Sequence, residues 1–113
     1  MNGTPEQIEW AERIKLQLNA EFDRVASAFE ATAVKQPEED RKDTRAVIAI
    51  LEEKRRGVLA SDQAGYFIHD WQELRDQVRQ LIARDPRYQA IKANRKTRNH
   101  SPNGSSATEA GSN

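Results

Sequence analysis

His69 and Glu73 stand four residues apart with Asp70 beside the histidine. On a helix, that spacing puts an imidazole and a carboxylate on one face, where zinc chemistry would begin. A working zinc site needs at least a third protein ligand. The only other histidine, His100, falls in a polar terminal stretch. The pair therefore reads as a surface histidine beside a carboxylate, with no metal and no cofactor. Service as a general base would require an orienting group and a pocket, and the residue pattern supplies neither.

Other chemistry is equally thin. Nearly all of the 18 carboxylates fall at expected helix starts or on solvated faces, and Glu52-Glu53-Lys54-Arg55-Arg56 reads as ordinary charged surface. The chain contains no glycine-rich phosphate loop, no Gly-x-Ser-x-Gly elbow and no His-Glu-x-x-His helix. It has no cysteine, which excludes disulfides, thiolate zinc sites and cysteine nucleophiles. No catalytic residue is assigned, and the expectation is that the chain is not an enzyme.

Two sets of residues fit binding better than catalysis. Arg84, Arg87, Lys92, Arg95, Lys96 and Arg98, with Tyr88 among them, form a basic segment. Its cations could contact phosphates while the tyrosine stacks on a base. Residues 1–83 carry 12 Lys and Arg against 16 Asp and Glu, whereas residues 84–113 carry 6 against 2. An acidic body with a basic tail can address nucleic acid, an acidic partner or a neighbouring copy. The second set is apolar. Tryptophan is enriched at binding hot spots, and Trp10 and Trp71 are the two present. Trp71 falls on an apolar seam and is expected in the core. Trp10 lies beside a seam, where it either covers the core edge or faces a protein partner, together with Ile14 and Phe29.

The elements that must position these residues follow from apolar spacing. Ile8, Ala11, Ile14, Leu18, Phe22, Val25 and Phe29 recur every three or four residues, behind Thr4-Pro5-Glu6-Gln7. Thr4 can cap, Gln7 can reach back to it, and proline suits the first helical position. These signals predict a helix over residues 5–33, about 43 Å long. Pro37 ends the connection and opens a second helix. Glu38, Glu39 and Asp40 stand at its start, Lys54, Arg55 and Arg56 at its end, and Gly57 is its expected stop. Its first two turns, through Arg45, are nearly all charged and are expected to fray or project. Val58 and Leu59 would then tuck in beside a loop. A third helix, capped by Ser61 or Asp62, carries Phe67, Trp71, Leu74, Val78 and Leu81 up to Asp85-Pro86. That last pair can start a short C-terminal helix bearing Tyr88 and Ile91.

The expected fold is thus all-α, an antiparallel three-helix bundle with a long first helix, a short C-terminal helix and a disordered tail. Residues 1–92 form the bundle domain and residues 93–113 a basic, then Gly/Ser-rich tail. A chain of 113 residues with 36% apolar and 32% charged residues has a thin core, so a partner would help it. The first helix outlasts the apolar part of the second. Part of its seam, near Ile8 or near Phe29, is expected to lie bare and meet a partner, with a homodimer as the leading explanation. No segment approaches the roughly 20 apolar residues needed to span a bilayer. The first residues lack a signal peptide's basic and apolar regions, so the expected compartment is the cytoplasm.

The stretch Gln7-Ile8-Glu9-Trp10-Ala11-Glu12-Arg13-Ile14-Lys15 resembles the opening of small uncharacterised proteins encoded by phages and mobile elements. Their pattern is Gln-Ile-x-Trp-Ala-x-x-Ile-Lys/Arg, followed later by an aromatic-Ile segment near a small residue. Ala64-Gly65-Tyr66-Phe67-Ile68-His69-Asp70 corresponds to that second segment, departing from it where His69-Asp70-Trp71 replaces an aromatic and an arginine. The resemblance covers two short segments and carries over no catalytic residue. It implies a phage or mobile-element origin, and with it a modulator or inhibitor of a host complex. The alternative expectation is a nucleic-acid-associated accessory protein that uses the basic segment.

Overall fold

A computed structural model describes residues 1–99, with side chains through Thr97. Five helices follow in order: α1 (Pro5–Ala33), α2 (Glu38–Leu59), α3 (Ala64–Asp70), α4 (Leu74–Ala83) and α5 (Pro86–Asn99). The three-helix bundle expected from sequence is therefore incorrect. The segment predicted as one third helix is two helices, broken at Trp71-Gln72-Glu73. The chain forms two compact units, Met1–Ala83 and one beginning at Arg84. The expected disordered stretch Ser101–Asn113 lies outside the described residues, and residues 93–99 belong to α5. Among the described residues no helix is long and apolar enough to cross a membrane.

α1 forms as its residues dictate. The Thr4 hydroxyl accepts from the Gln7 backbone N–H at 3.2 Å, and Gln7 Oε1 accepts from Thr4 N–H at 3.0 Å. This reciprocal pair satisfies two of the backbone donors that a helix start leaves open. The seam of α1 is buried at Ala11, Leu18 and Phe22 and half-buried at Ile8, Ile14, Val25 and Phe29.

α2 runs back along α1. Arg45 reaches Glu30 at 2.8 Å, and Arg55 reaches Asp23 at 2.7 Å and Asn19 at 3.0 Å, so rising numbers on one helix meet falling numbers on the other. The charged first turns of α2 do not project freely. Arg41 donates to the carbonyls of Ala33 (3.2 Å) and Gln36 (2.9 Å), and the buried Thr44 donates to Gln36 Oε1 at 2.7 Å. The last turn of α1 holds no basic residue, so Arg41 brings it both a donor and a positive charge from the neighbouring helix. Gly57 does not stop α2, which continues to Leu59 and buries Val58 as a helical residue. A glycine inside a helix costs about 1 kcal/mol, and burying a valine offsets that.

α3 and α4 follow α1 in its own direction: Ala64 lies by Gly3, Phe67 under Lys15, and Arg75 by Glu21. The start of α3 is not capped by Ser61 or Asp62. Backbone does it instead, because Asn2 N–H donates to the Asp62 carbonyl at 2.6 Å and Ala64 N–H to the Asn2 carbonyl at 2.9 Å. Gly3 permits this docking. Its φ is +150°, and a Cβ there would meet Ala64 Cβ at 2.9 Å.

At the break, Trp71 takes φ −122° and ψ 45° and turns its ring into the core, 6% exposed. Tyr66 meets both Phe67 and Trp71 edge-on, at centroid distances of 5.1 and 6.3 Å. Gln77 serves both severed ends. Its Oε1 accepts from Glu73 N–H at 2.9 Å and its amide nitrogen donates to the Asp70 carbonyl. Beyond the break the buried stripe moves to Val78 and Ile82, leaving Leu74 and Leu81 half-buried. Phe22, Phe67, Leu18, Leu51 and Val78 are the large side chains fully buried in the centre.

Candidate functional site

α1 has an inner face that α2, α3 and α4 occupy, which leaves its flank and back as the surface available to a partner. Trp10 stands on that flank, 52% exposed. Ile14, one turn on, is half-buried beside it, so these two form a continuous apolar step. Phe29 is half-buried as well, but at 1.5 Å per residue it lies roughly 28 Å further along the helix and belongs to no common patch with Trp10. Among the described residues Leu16, 71% exposed, and Val34, 58% exposed, are the other open large apolar side chains, and neither was among the site residues predicted from sequence. Leu16 had a legible signal, because it falls midway between the seam positions Ile14 and Leu18. Around Trp10 the charges are mixed: Glu9 and Arg13 pair at 3.7 Å, both well exposed.

A groove of about 730 Å³ opens between α1 and the start of α4, lined by Gln17, Glu21, Arg24, Glu73 and Arg75 among others. Glu21 is its most constrained group, a carboxylate 5% exposed. Both its oxygens bond Arg24, through Nε at 3.0 Å and through Nη2, and Arg75 Nε lies 3.9 Å away. The hydrogen bonds from Arg24 hold the Glu21 carboxyl below its ordinary value against the opposing effect of burial, and the positive fields of Arg24, Arg75 and Arg79 add to the lowering. A carboxylate held ionised with both oxygens occupied is placed to tie α1 to α4 and poorly placed to take up a proton in a reaction.

His69 and Glu73 stand on opposite sides of the break at Trp71, so the single helical face assumed from their spacing does not exist. Both are exposed, at a shallow depression that Asp70 and Asp76 also line. Among the described residues no group of three or more His, Asp and Glu side chains is arranged to hold a metal ion.

Arg55 also departs from expectation. Read as ordinary surface, it is instead only 17% exposed. It bonds Asn19, Asp23 and Glu52 and lies 6.0 Å from the Phe22 ring centroid, pinning α2 to α1. In the second unit, the Asp85 carboxylate accepts from Arg87 N–H at 2.8 Å, Nε at 3.0 Å and Nη2 at 2.9 Å. Lys92 Nζ sits 5.7 Å from the Tyr88 ring centroid. Arg84 precedes α5, and Arg95 and Lys96 lie within it. Arg98 falls in its last turn, beyond the residues whose side chains are described.

No protein family matches this chain, and comparisons with curated proteins and with solved structures likewise find no match.

Proposed function

We propose that this chain is a non-catalytic protein-interaction module that binds through the Trp10 flank of α1. The observation that carries the reading is an indole 52% exposed on a helix whose inner face is already filled. An aromatic ring left in water at that cost is the kind of anchor that hot spots use. A module of this sort acts by occupying a surface, so its role would be to modulate or inhibit the complex it joins.

The simplest occupant of the flank is a second copy. A two-fold contact requires a self-complementary surface, and Trp10 has Glu6 and Glu9 towards one end of the helix and Arg13 towards the other. Antiparallel pairing of two α1 helices would set each arginine against the other copy's glutamates, around the two indoles. A thin core adds a reason for such pairing. Sedimentation equilibrium of the full chain, wild type beside Trp10→Ala, tests this. The wild type should associate with rising concentration, and the variant should do so at least about tenfold more weakly, as loss of a hot-spot residue implies. Its helicity should not change. Identical behaviour of the two proteins would remove the assignment.

A further inference from the structure

We infer that the basic face of α5 is a docking face for the phosphate backbone of duplex DNA. Between Pro86 and Asn99 there is no Asp or Glu, and there are five Lys and Arg. The basic run is helical to its end rather than a loose tail, and that fixes where its charges fall. Helical geometry sets Arg87, Ile91 and Arg95 in one row and Tyr88, Lys92 and Lys96 in the row beside it. The opposite half carries Gln89, Ala90, Ala93 and Asn94, so the cations gather on one side.

Arg87 is bound to Asp85 and contributes little net charge; Asp85 instead anchors the start of the helix by taking the Arg87 backbone N–H as well. The positive field that the proposal uses comes from Lys92 and Lys96. Lys92 and Lys96 are one turn apart, about 6 Å along the axis. Phosphates on each DNA strand recur about every 3.4 Å along the duplex, so both ammonium groups can meet phosphate at once.

Three other anionic partners fit less well. Lys92 covers one face of the Tyr88 ring, which disfavours the base stacking that single strands use. A helix that touches phosphates on both walls of a groove must lie in its mouth, and the wide major groove of DNA admits one where the deep, narrow major groove of duplex RNA does not. A helix lying in a membrane surface needs a broad apolar face, and α5 offers only Tyr88 and Ile91. Recognition through phosphate alone carries no base preference and is weak.

Fluorescence anisotropy with a short labelled DNA duplex, using the full chain, reads this directly. Affinity should fall linearly with salt on logarithmic axes. Lys92→Gln with Lys96→Gln should weaken binding and reduce that slope by about 1.8, the loss of two phosphate contacts. Circular dichroism should show the helices intact in that variant. The inference fails if no binding occurs at low salt, or if the double variant keeps the wild-type slope. It fails equally if phosphatidylserine vesicles or single strands are bound in preference to the duplex. None of these outcomes bears on Trp10, so the two proposals stand or fall separately.

Discussion

Glu21 shows how much a single side chain can depart from its surroundings in the sequence. It stands three residues past Leu18 and just before Phe22, on the border of the seam, and folding buries it there with Arg24 as its partner. Because its carboxyl titrates lower in the folded chain than in the unfolded one, folding is favoured by its ionisation. That contribution is fully present above the ordinary carboxylate value of about 4.3 and disappears as pH falls through the lowered value. Glu21→Gln should therefore flatten the acid limb of stability, measured by urea denaturation at a series of acidic pH values, and a limb as steep as the wild type's would contradict this. Periodicity exposed the hydrophobic neighbours of Glu21 but could not show that Arg75 would arrive from α4, because that contact depends on where a distant helix lies. Trp71 was legible as core, whereas its indole N–H, buried with no hydrogen-bond partner among the described residues, was not.

At the scale of elements, local signals held where the interacting residues lie close together in the sequence. Thr4, Pro5 and Gln7 specified the first turn of α1 because the capping interactions lie within four residues of one another. The stop of α2 depended on a tertiary contact. Gly57 resembles a terminator, yet the burial of Val58 carries α2 past it. The break between α3 and α4 was hidden for a related reason: Phe67, Trp71, Leu74 and Val78 keep helical spacing straight through it. What stabilises the break is Gln77, a residue with no special standing in the sequence, which bonds both severed backbone ends. Gln77→Ala should cost about 1 kcal/mol in chemical denaturation, since it removes a donor and an acceptor from partly solvated groups. Gln80→Ala, on the exposed side of the same helix, should fall within about 0.5 kcal/mol of wild type. If the two substitutions cost the same, Gln77 does not hold the break.

For the whole molecule, an all-α course was evident in the apolar periods, but the number of helices was not. Among the described residues the turn at Trp71 makes two helices of the expected third, and the expected short C-terminal helix is α5, the fifth. The N-terminal strap at Asn2 and Gly3, absent from any periodic signal, fixes where that path begins. With the inner face of α1 filled, Trp10 and Leu16 remain in water, and only the first of them was singled out in the sequence, as either a core-edge cover or a partner-facing residue. The interaction reading depends on Trp10 being exposed where Trp71 is buried, and that difference can be measured without a substitution in the sequence. Protein labelled with 5-fluorotryptophan gives one ¹⁹F resonance for each indole, and the response of each to replacing H₂O with D₂O reports its contact with solvent. In dilute solution Trp10 should show a large solvent isotope shift and Trp71 almost none, and the Trp10 shift should shrink as concentration rises and a second copy covers the ring. A Trp10 resonance that keeps the same solvent shift at every concentration, or is already shielded when dilute, would contradict the account.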